Sequence, residues 1–323
     1  MSTDLQNGFD GLHLGGMKCL VTGGGGVLGS AVLAQLAQVA GVQILAPGRA
    51  ELDLANSDMT SAYFEANRPD VVIHLAATVF GLAGNMGNQH RAVFENSAIN
   101  HNVCFAISRV RPSRVFFAGT VASYPFPYKK IPLMEDQFFE GLPHGGEFGY
   151  AMAKRHAYSY LKVLGDEGVC KFSYGVFTNL YGEGDKFDVD GGHVIPSLIK
   201  KAFDARKRGE PLTVWGDGSA QRDFLHAADA ARAVLICLKA PTNEITNISS
   251  GVGVTIRRIT EVVASAAGIQ DVVYDVNKPV GIPVRVVDNA KLVSLGFKPQ
   301  IGIEEGLRRT FSWYENHHTG ART

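Results

Sequence analysis

The stretch Met17–Leu36, MKCLVTGGGGVLGSAVLAQL, decides the fold. Its first six residues form a short apolar run that reads as a buried strand. The segment beginning Val27-Leu28-Gly29-Ser30 carries the Ala and Leu content of a helix ending near Gly41. Between them Gly23, Gly26 and Gly29 stand at G-x-x-G-x-x-G spacing. Gly23 permits a tight turn, Gly26 lets the backbone approach a pyrophosphate, and Gly29 lets helix and strand pack closely. The helix N-terminus then offers unpaired N–H groups to the phosphate charge. The turn is therefore read as a dinucleotide-binding loop, with Val27 and Leu28 beside the cofactor. A merely flexible Gly-rich turn is the alternative.

Working outward, Val42–Ala46, Asp70–Ala76, Arg114–Ala118 and Lys171–Phe177 read as further strands. Leu54–Ala66, roughly Val93–Val110 and Tyr150–Leu164 read as helices between them. Strands alternating with helices predict an α/β fold with a doubly wound parallel sheet, the Rossmann architecture. Asp53, Leu54, Ala76 and Ala77 are also expected to face the cofactor. After about Leu180 the rhythm changes, and Asp185–Gly192 is a polar, glycine-bearing stretch of the kind that forms a ligand loop. The predicted organisation is a flexible extension over 1–16, a dinucleotide-binding domain over 17–180, and a smaller mixed α/β part over 181–323. The last is expected to bind substrate and to be partly interleaved with the first sheet.

The 323 residues are 46% hydrophobic and 19% charged, with formal net charge +0. That balance suits a globular protein with a sizeable core and gives no global field to attract nucleic acid or an anionic membrane. A phosphate-bearing ligand must be held by local groups. The four cysteines, Cys19, Cys104, Cys170 and Cys237, are scattered without CxxC spacing. No metal site or disulfide framework is expected, and a reducing cytoplasm fits. No apolar run approaches spanning length, and the first sixteen residues have no basic stretch of the signal-peptide kind.

The second predicted strand ends Ala46-Pro47-Gly48-Arg49. An acid at this place would take the ribose 2′-hydroxyl of NAD, whereas Arg49 can pair with a 2′-phosphate, so NADP is the expected cofactor. Glu51 and Asp53 follow closely, and an Arg49 that only faces solvent is the other reading. Tyr150 and Lys154 lie four apart on a predicted helix and so share a face. A cation beside a phenol stabilises the phenolate and lowers a pKa near ~10, which makes Tyr150 a candidate proton carrier. A surface pair without a role is the bland alternative.

The glycine loop, Tyr150 and Lys154 in this order resemble the extended short-chain dehydrogenase/reductase superfamily. Asn179-Leu180-Tyr181-Gly182, Gly192-His193-Val194-Ile195-Pro196, Val214-Trp215-Gly216-Asp217-Gly218 and Arg222-Asp223-Phe224-Leu225-His226 narrow the resemblance to its GDP-L-fucose synthase branch. Tyr124-Pro125 and the tail Lys278-Pro279…Gly281…Pro283…Arg285…Asp288 agree, so the likeness runs from about Met17 to about Tyr314. That branch epimerises C3 and C5 of a GDP-linked 4-keto-6-deoxy sugar, then reduces C4 with NADPH. The resemblance implies that Tyr150 protonates the C4 oxygen and that Lys154 binds the nicotinamide ribose. It places Thr120 as the hydroxyl partner, with Ser123 as fallback, and Asn179, Leu180 and His193 near the nicotinamide or sugar. Lys201 and Arg222 would hold diphosphate, Trp215 would cover the nucleotide, and Arg285 would contact substrate. A homodimer is the superfamily's usual state.

The branch's epimerisation uses a Cys and a His. His193 is present, but Ala122 stands where the Cys should be, and a methyl group moves no proton. Reduction at C4 needs neither. The expected activity is therefore C4 reduction of a GDP-4-keto-6-deoxy sugar without epimerisation. Ala227-Ala228 and Val280 also depart from the pattern, which leaves a larger sugar such as a 6-deoxy-heptose open. Three alternatives stand beside it: the full epimerase–reductase, a nucleotide-sugar dehydratase or 4-epimerase, and a non-catalytic NADP-binding protein.

Overall fold

The computed structural model describes residues 14–79, 87–189, 192–278 and 281–322. Most of the expected N-terminal extension, residues 190–191 of the ligand loop, and Pro279 and Val280 lie outside the described residues.

The chain runs β1 (Lys18–Thr22), α1 (Val27–Leu36), β2 (Gln43–Leu45), α2 (Ser57–Asn67), β3 (Val71–His74), α3 (Gln89–Val110), β4 (Arg114–Thr120), α4 (Phe148–Asp166) and β5 (Lys171–Phe177). It continues through β6 (Asn179–Tyr181), α5 (Val194–Arg208), β7 (Leu212–Trp215), β8 (Gln221–His226), α6 (Ala227–Lys239), β9 (Ile245–Ile248) and β10 (Gly253–Thr255). The last elements are α7 (Ile256–Ala267), β11 (Val272–Asp275), β12 (Val284–Arg285), α8 (Ala290–Ser294) and α9 (Ile303–His317).

The large sheet has the order β2-β1-β3-β4-β5-β9, and every pairing in it is parallel. Its strands are short apolar runs because helices cover both faces, so neither side needs polar residues. Leu20, Val72, Val115, Phe117 and Tyr174 pack on one side under α3 and α4. Cys19, Val21, Val71, Ile73 and Phe116 pack on the other with Val32 of α1 and Val234 of α6. The chain leaves β1 for β2 on one side and reaches β3 on the other. Such a reversal opens a crevice at the strands' carboxyl ends.

The smaller lobe is built on β8, which pairs with β6 and β12 in parallel and with β10 antiparallel. A separate parallel pair, β7 and β11, lies under α5, α7 and α9, whose apolar faces share one core. The interleaving takes a definite form: α6 and β9 follow β8 in sequence but belong to the large sheet. All four residues of β9 are buried, and they hydrogen-bond beside β5, with the buried Asn247 side chain accepting from the Tyr124 hydroxyl and donating to the Leu133 carbonyl.

Candidate active site

The crevice is shaped by contacts that only glycine allows. Gly23 has φ +74°, and a Cβ there would lie 2.7 Å from the Ala76 nitrogen. A Cβ on Gly29 would lie 2.1 Å from the Gly23 carbonyl oxygen, so helix α1 meets the end of β1 without a side chain between. The resulting cavity is about 300 Å³, and Gly23, Arg49, Asp53, Leu54, Ala76 and Ala77 are among its walls. Asn96 of α3 accepts from the Thr78 nitrogen and donates to the Thr78 carbonyl, both at 2.9 Å, which fixes the wall after β3. Arg49 stands at the rim with its side chain 80% exposed and 3.9 Å from Asp53. The rim thus holds one guanidinium beside the carboxylates of Asp53 and Glu95, and the exposed Arg49 can turn to an extra phosphate on a dinucleotide above the glycine-floored cleft. Leu28 packs its side chain in the core with Val32 and Leu36, because the first turn of α1 must bury its apolar face, so its main chain is the part that can face a ligand.

Tyr150 and Lys154 sit in the first two turns of α4. Gly149 brings this helix against α3, since a Cβ there would meet the Gln89 carbonyl at 2.4 Å. Lys154 is buried, with its Nζ 5.9 Å from the centre of the Tyr150 ring and 5.6 Å from that of Phe117. Burial, then the Glu147 carboxylate, raises the Tyr150 phenol above its ordinary value, and burial brings Lys154 down to about 8. The expected acidification of Tyr150 by Lys154 is thus outweighed: the pocket that desolvates the phenol also weakens the ammonium charge meant to favour the phenolate. Tyr150 is held as an acid.

Thr120 ends β4 and caps the 3-10 turn Val121–Ser123, accepting from the Ala122 nitrogen at 3.2 Å. A hydroxyl that accepts this bond keeps its own proton to donate. Ser123 is not an alternative. It is fully buried, and its hydroxyl donates to the Ala151 carbonyl at 3.3 Å, while its carbonyl holds the Arg155 guanidinium. Ala122 is also buried, so its methyl contributes packing alone.

A polar network that sequence reading missed lies behind this pair. His74 Nδ1 is 2.8 Å from Thr22 Oγ1, its Nε2 is 3.4 Å from Asn100 Oδ1, and Asn100 donates to the Ala153 carbonyl at 3.2 Å. It joins the strand before the glycine loop to the turn carrying Lys154. Burial, and then the Lys154 charge, pushes His74 down to about 3. Between about pH 3 and the unfolded value of 6.5, the unfolded chain binds a proton that the folded chain refuses, so stability falls as pH falls through that window. His74→Gln, which keeps an amide for both partners, is expected to flatten the acid limb by up to about 1 kcal/mol per pH unit. Denaturant midpoints between pH 6 and pH 4 check this, and an unchanged limb contradicts it.

On the substrate side, Asn179 donates to the Asp223 carbonyl at 2.9 Å and so is braced between β6 and β8. Leu180 is half-buried beside it. His193 is exposed at the start of α5, and burial raises the Asp185 carboxyl of the preceding loop above its ordinary value. Trp215 is 52% exposed and so is not part of the core, and the Nζ atoms of Lys201 and Lys278 lie 4.6 and 5.6 Å from its ring centre. Arg222 Nη1 donates to the carbonyls of Gln221 and Pro283, and no carboxylate reaches ion-pair distance of Arg222 among the described residues. Burial first and the Arg285 charge second lower its pKa to about 10, so an incoming anion would relieve it. Arg285 is a correction to the sequence expectation. It is buried, forks onto Glu147 at 2.5 and 3.3 Å, and donates through Nε to the Tyr128 hydroxyl at 2.6 Å. Its donors serve the protein because an unpaired guanidinium there would be too costly. Neither Glu147 nor Tyr128 carries a sequence signal that marks this pairing.

Residues 19–249 match the family described as NAD dependent epimerase/dehydratase. The chain is 32% identical to the GDP-L-fucose synthase of Azorhizobium caulinodans, over 93% of this chain and 96% of that protein. It is 31% identical to the GDP-L-colitose synthase of Yersinia pseudotuberculosis, over 93% and 98%. Its fold superposes on the crystal structure of a GDP-L-fucose synthetase from Naegleria fowleri bound to NADP with a TM-score of 0.88. That match has 29% identity and covers 95% of each chain.

Proposed function

The chain belongs to the NAD dependent epimerase/dehydratase family, and from that premise we propose that it is an NADPH-dependent C4-ketoreductase. Its substrate is a GDP-linked 4-keto-6-deoxy sugar, hexose or heptose, handled in deoxysugar biosynthesis. The relatives named for GDP-L-fucose and GDP-L-colitose synthesis support that substrate class, and the NADP-bound neighbour supports the cofactor. One observation carries the reading: Tyr150, Lys154 and Thr120 form an intact reductase set at the strand ends, while Ala122 offers only a methyl group beside them.

In this reading the glycine turn and the α1 N-terminus take the pyrophosphate, and Arg49 takes the 2′-phosphate. NADPH supplies the hydride delivered to C4. Thr120 hydrogen-bonds the C4 oxygen and aligns it with Tyr150, whose phenol gives that oxygen its proton. Lys154 then stabilises the phenolate left behind and orients the nicotinamide ribose. Arg222 clamps the sugar diphosphate, Trp215 covers the guanine, and Lys201 adds charge at the same end. His193 and Asn179 orient sugar or nicotinamide. A homodimer through α3 and α4 belongs to the same reading, supported by Phe94, Phe105 and Val163, which those helices leave exposed. Cytoplasmic placement is part of it too. No helix among the described residues is long and apolar enough to cross a membrane.

The test is loss of NADPH absorbance on adding GDP-4-keto sugars, with product stereochemistry by NMR. A tightly held NAD that is recycled without net consumption points instead to a 4-epimerase or dehydratase. Arg49→Ala is expected to raise the KM for NADPH about 10- to 100-fold, the worth of one charge-assisted phosphate contact, and to leave kcat and the KM for NADH near wild type. Equal effects on both cofactors would show that Arg49 does not read the phosphate.

A further inference from the structure

The buried pair Glu147–Arg285 joins two parts of the molecule that the chemistry needs in register. Glu147 immediately precedes α4, three residues before Tyr150. Arg285 belongs to β12 and lies opposite Arg222 of β8, so two guanidiniums stand side by side on one small sheet. Arg285 answers Glu147 with a two-pronged fork and uses its Nε on Tyr128, whereas among the described residues the hydrogen-bond partners of Arg222 are carbonyls. The catalytic helix is therefore bolted to the strand pair that presents Arg222.

We propose that Glu147 is a positioning residue for the reduction: held by the Arg285 fork, it ties the start of the helix that carries Tyr150 to the anion-binding edge of the substrate lobe. The proposal rests on the reading of Tyr150 as the acid. A bidentate partner prevents the Glu147 carboxylate from swinging away.

The experiment compares Glu147→Gln and Glu147→Asp in the full chain. The kcat and the KM values for NADPH and for the GDP-4-keto sugar are measured for each. The expected result is a kcat about tenfold lower in Glu147→Gln with the KM for NADPH near wild type, because the tie holds the helix start against the substrate lobe and not against the cofactor turn. Glu147→Asp, which keeps the charge on a shorter side chain, is expected to recover part of that kcat. A folded Glu147→Gln with an unchanged kcat overturns the proposal. If Glu147→Gln does not fold, Arg285→Lys decides: it keeps both charges but loses the fork, so kcat should fall about tenfold, and an unchanged kcat there overturns the positioning role. Absence of turnover by the wild-type protein would instead count against the reductase reading; amide exchange at the start of α4 then tests the tie, expected to be faster in Glu147→Gln, and unchanged exchange in the folded variant overturns it.

Discussion

Tyr150→Phe is expected to lose about 10²–10⁴-fold in kcat for the C4 reduction while NADPH binding stays close to wild type. The ring remains and only the proton is removed, so packing in the first turn of α4 is preserved. The size follows from what the reaction asks of that proton. Hydride arriving at C4 leaves a developing alkoxide, and in a desolvated pocket an alkoxide without a proton source is strongly disfavoured. Burial and Glu147 keep the phenol protonated, and Lys154, brought down to about 8, is close enough to favour the phenolate once the proton has gone. Measured kcat and a fluorescence titration with NADPH separate the two effects. Equal loss of both would mean that Tyr150 serves the fold, and full retention of turnover would remove it from the chemistry.

Product made from GDP-4-keto-6-deoxymannose and NADPH in deuterated water is expected to carry no enzyme-dependent solvent deuterium at C3 or C5. Exchange at those carbons requires a group to remove a proton from carbon and another to return it. At the position where the related synthases are expected to have a thiol, this chain has the buried methyl of Ala122. The four cysteines do not substitute for it, because all are buried, and burial raises the Cys104, Cys19 and Cys237 thiols far from the thiolate range. Losing one proton carrier is worth about 10²–10⁴-fold at each epimerised carbon, so the effect compounds over two. NMR of the product, against a control lacking protein, reads the label directly. Deuterium above that control would establish that another residue, with His193 the first candidate, moves those protons. Ala122→Cys is the complementary change and is expected to introduce exchange at one carbon at least.

Much of this was legible because it depends on local pattern. Gly23, Gly26 and Gly29 advertise a strand-to-helix turn by what they lack, and apolar runs alternating with amphipathic ones imply parallel strands with helices on both faces. Tyr150 and Lys154 declare a shared helical face by spacing alone. The errors fell where a residue's partner lies far along the chain. Ser123 looked available and is bonded to Ala151; Arg285 looked like a substrate contact and is paired with Glu147, 138 positions away. His74 read only as part of a buried strand, and its bridge from Thr22 to Asn100 exists because β1, β3 and α3 converge.

The sequence by itself determined the class of fold and singled out the glycine turn and the Tyr150–Lys154 pair as the candidates for cofactor binding and proton transfer, since each is written in short-range periodicity or in side-chain chemistry that no context can supply. Ala122 belongs with them, because a methyl group lacks an exchangeable proton in any fold. Only the tertiary structure decided which charges are free to act. Whether a guanidinium meets a ligand or a buried carboxylate, and whether a phenol beside a lysine is acidified or held as an acid, depends on desolvation and on neighbours brought in from distant strands. Those quantities arise from packing, and periodicity carries no record of them.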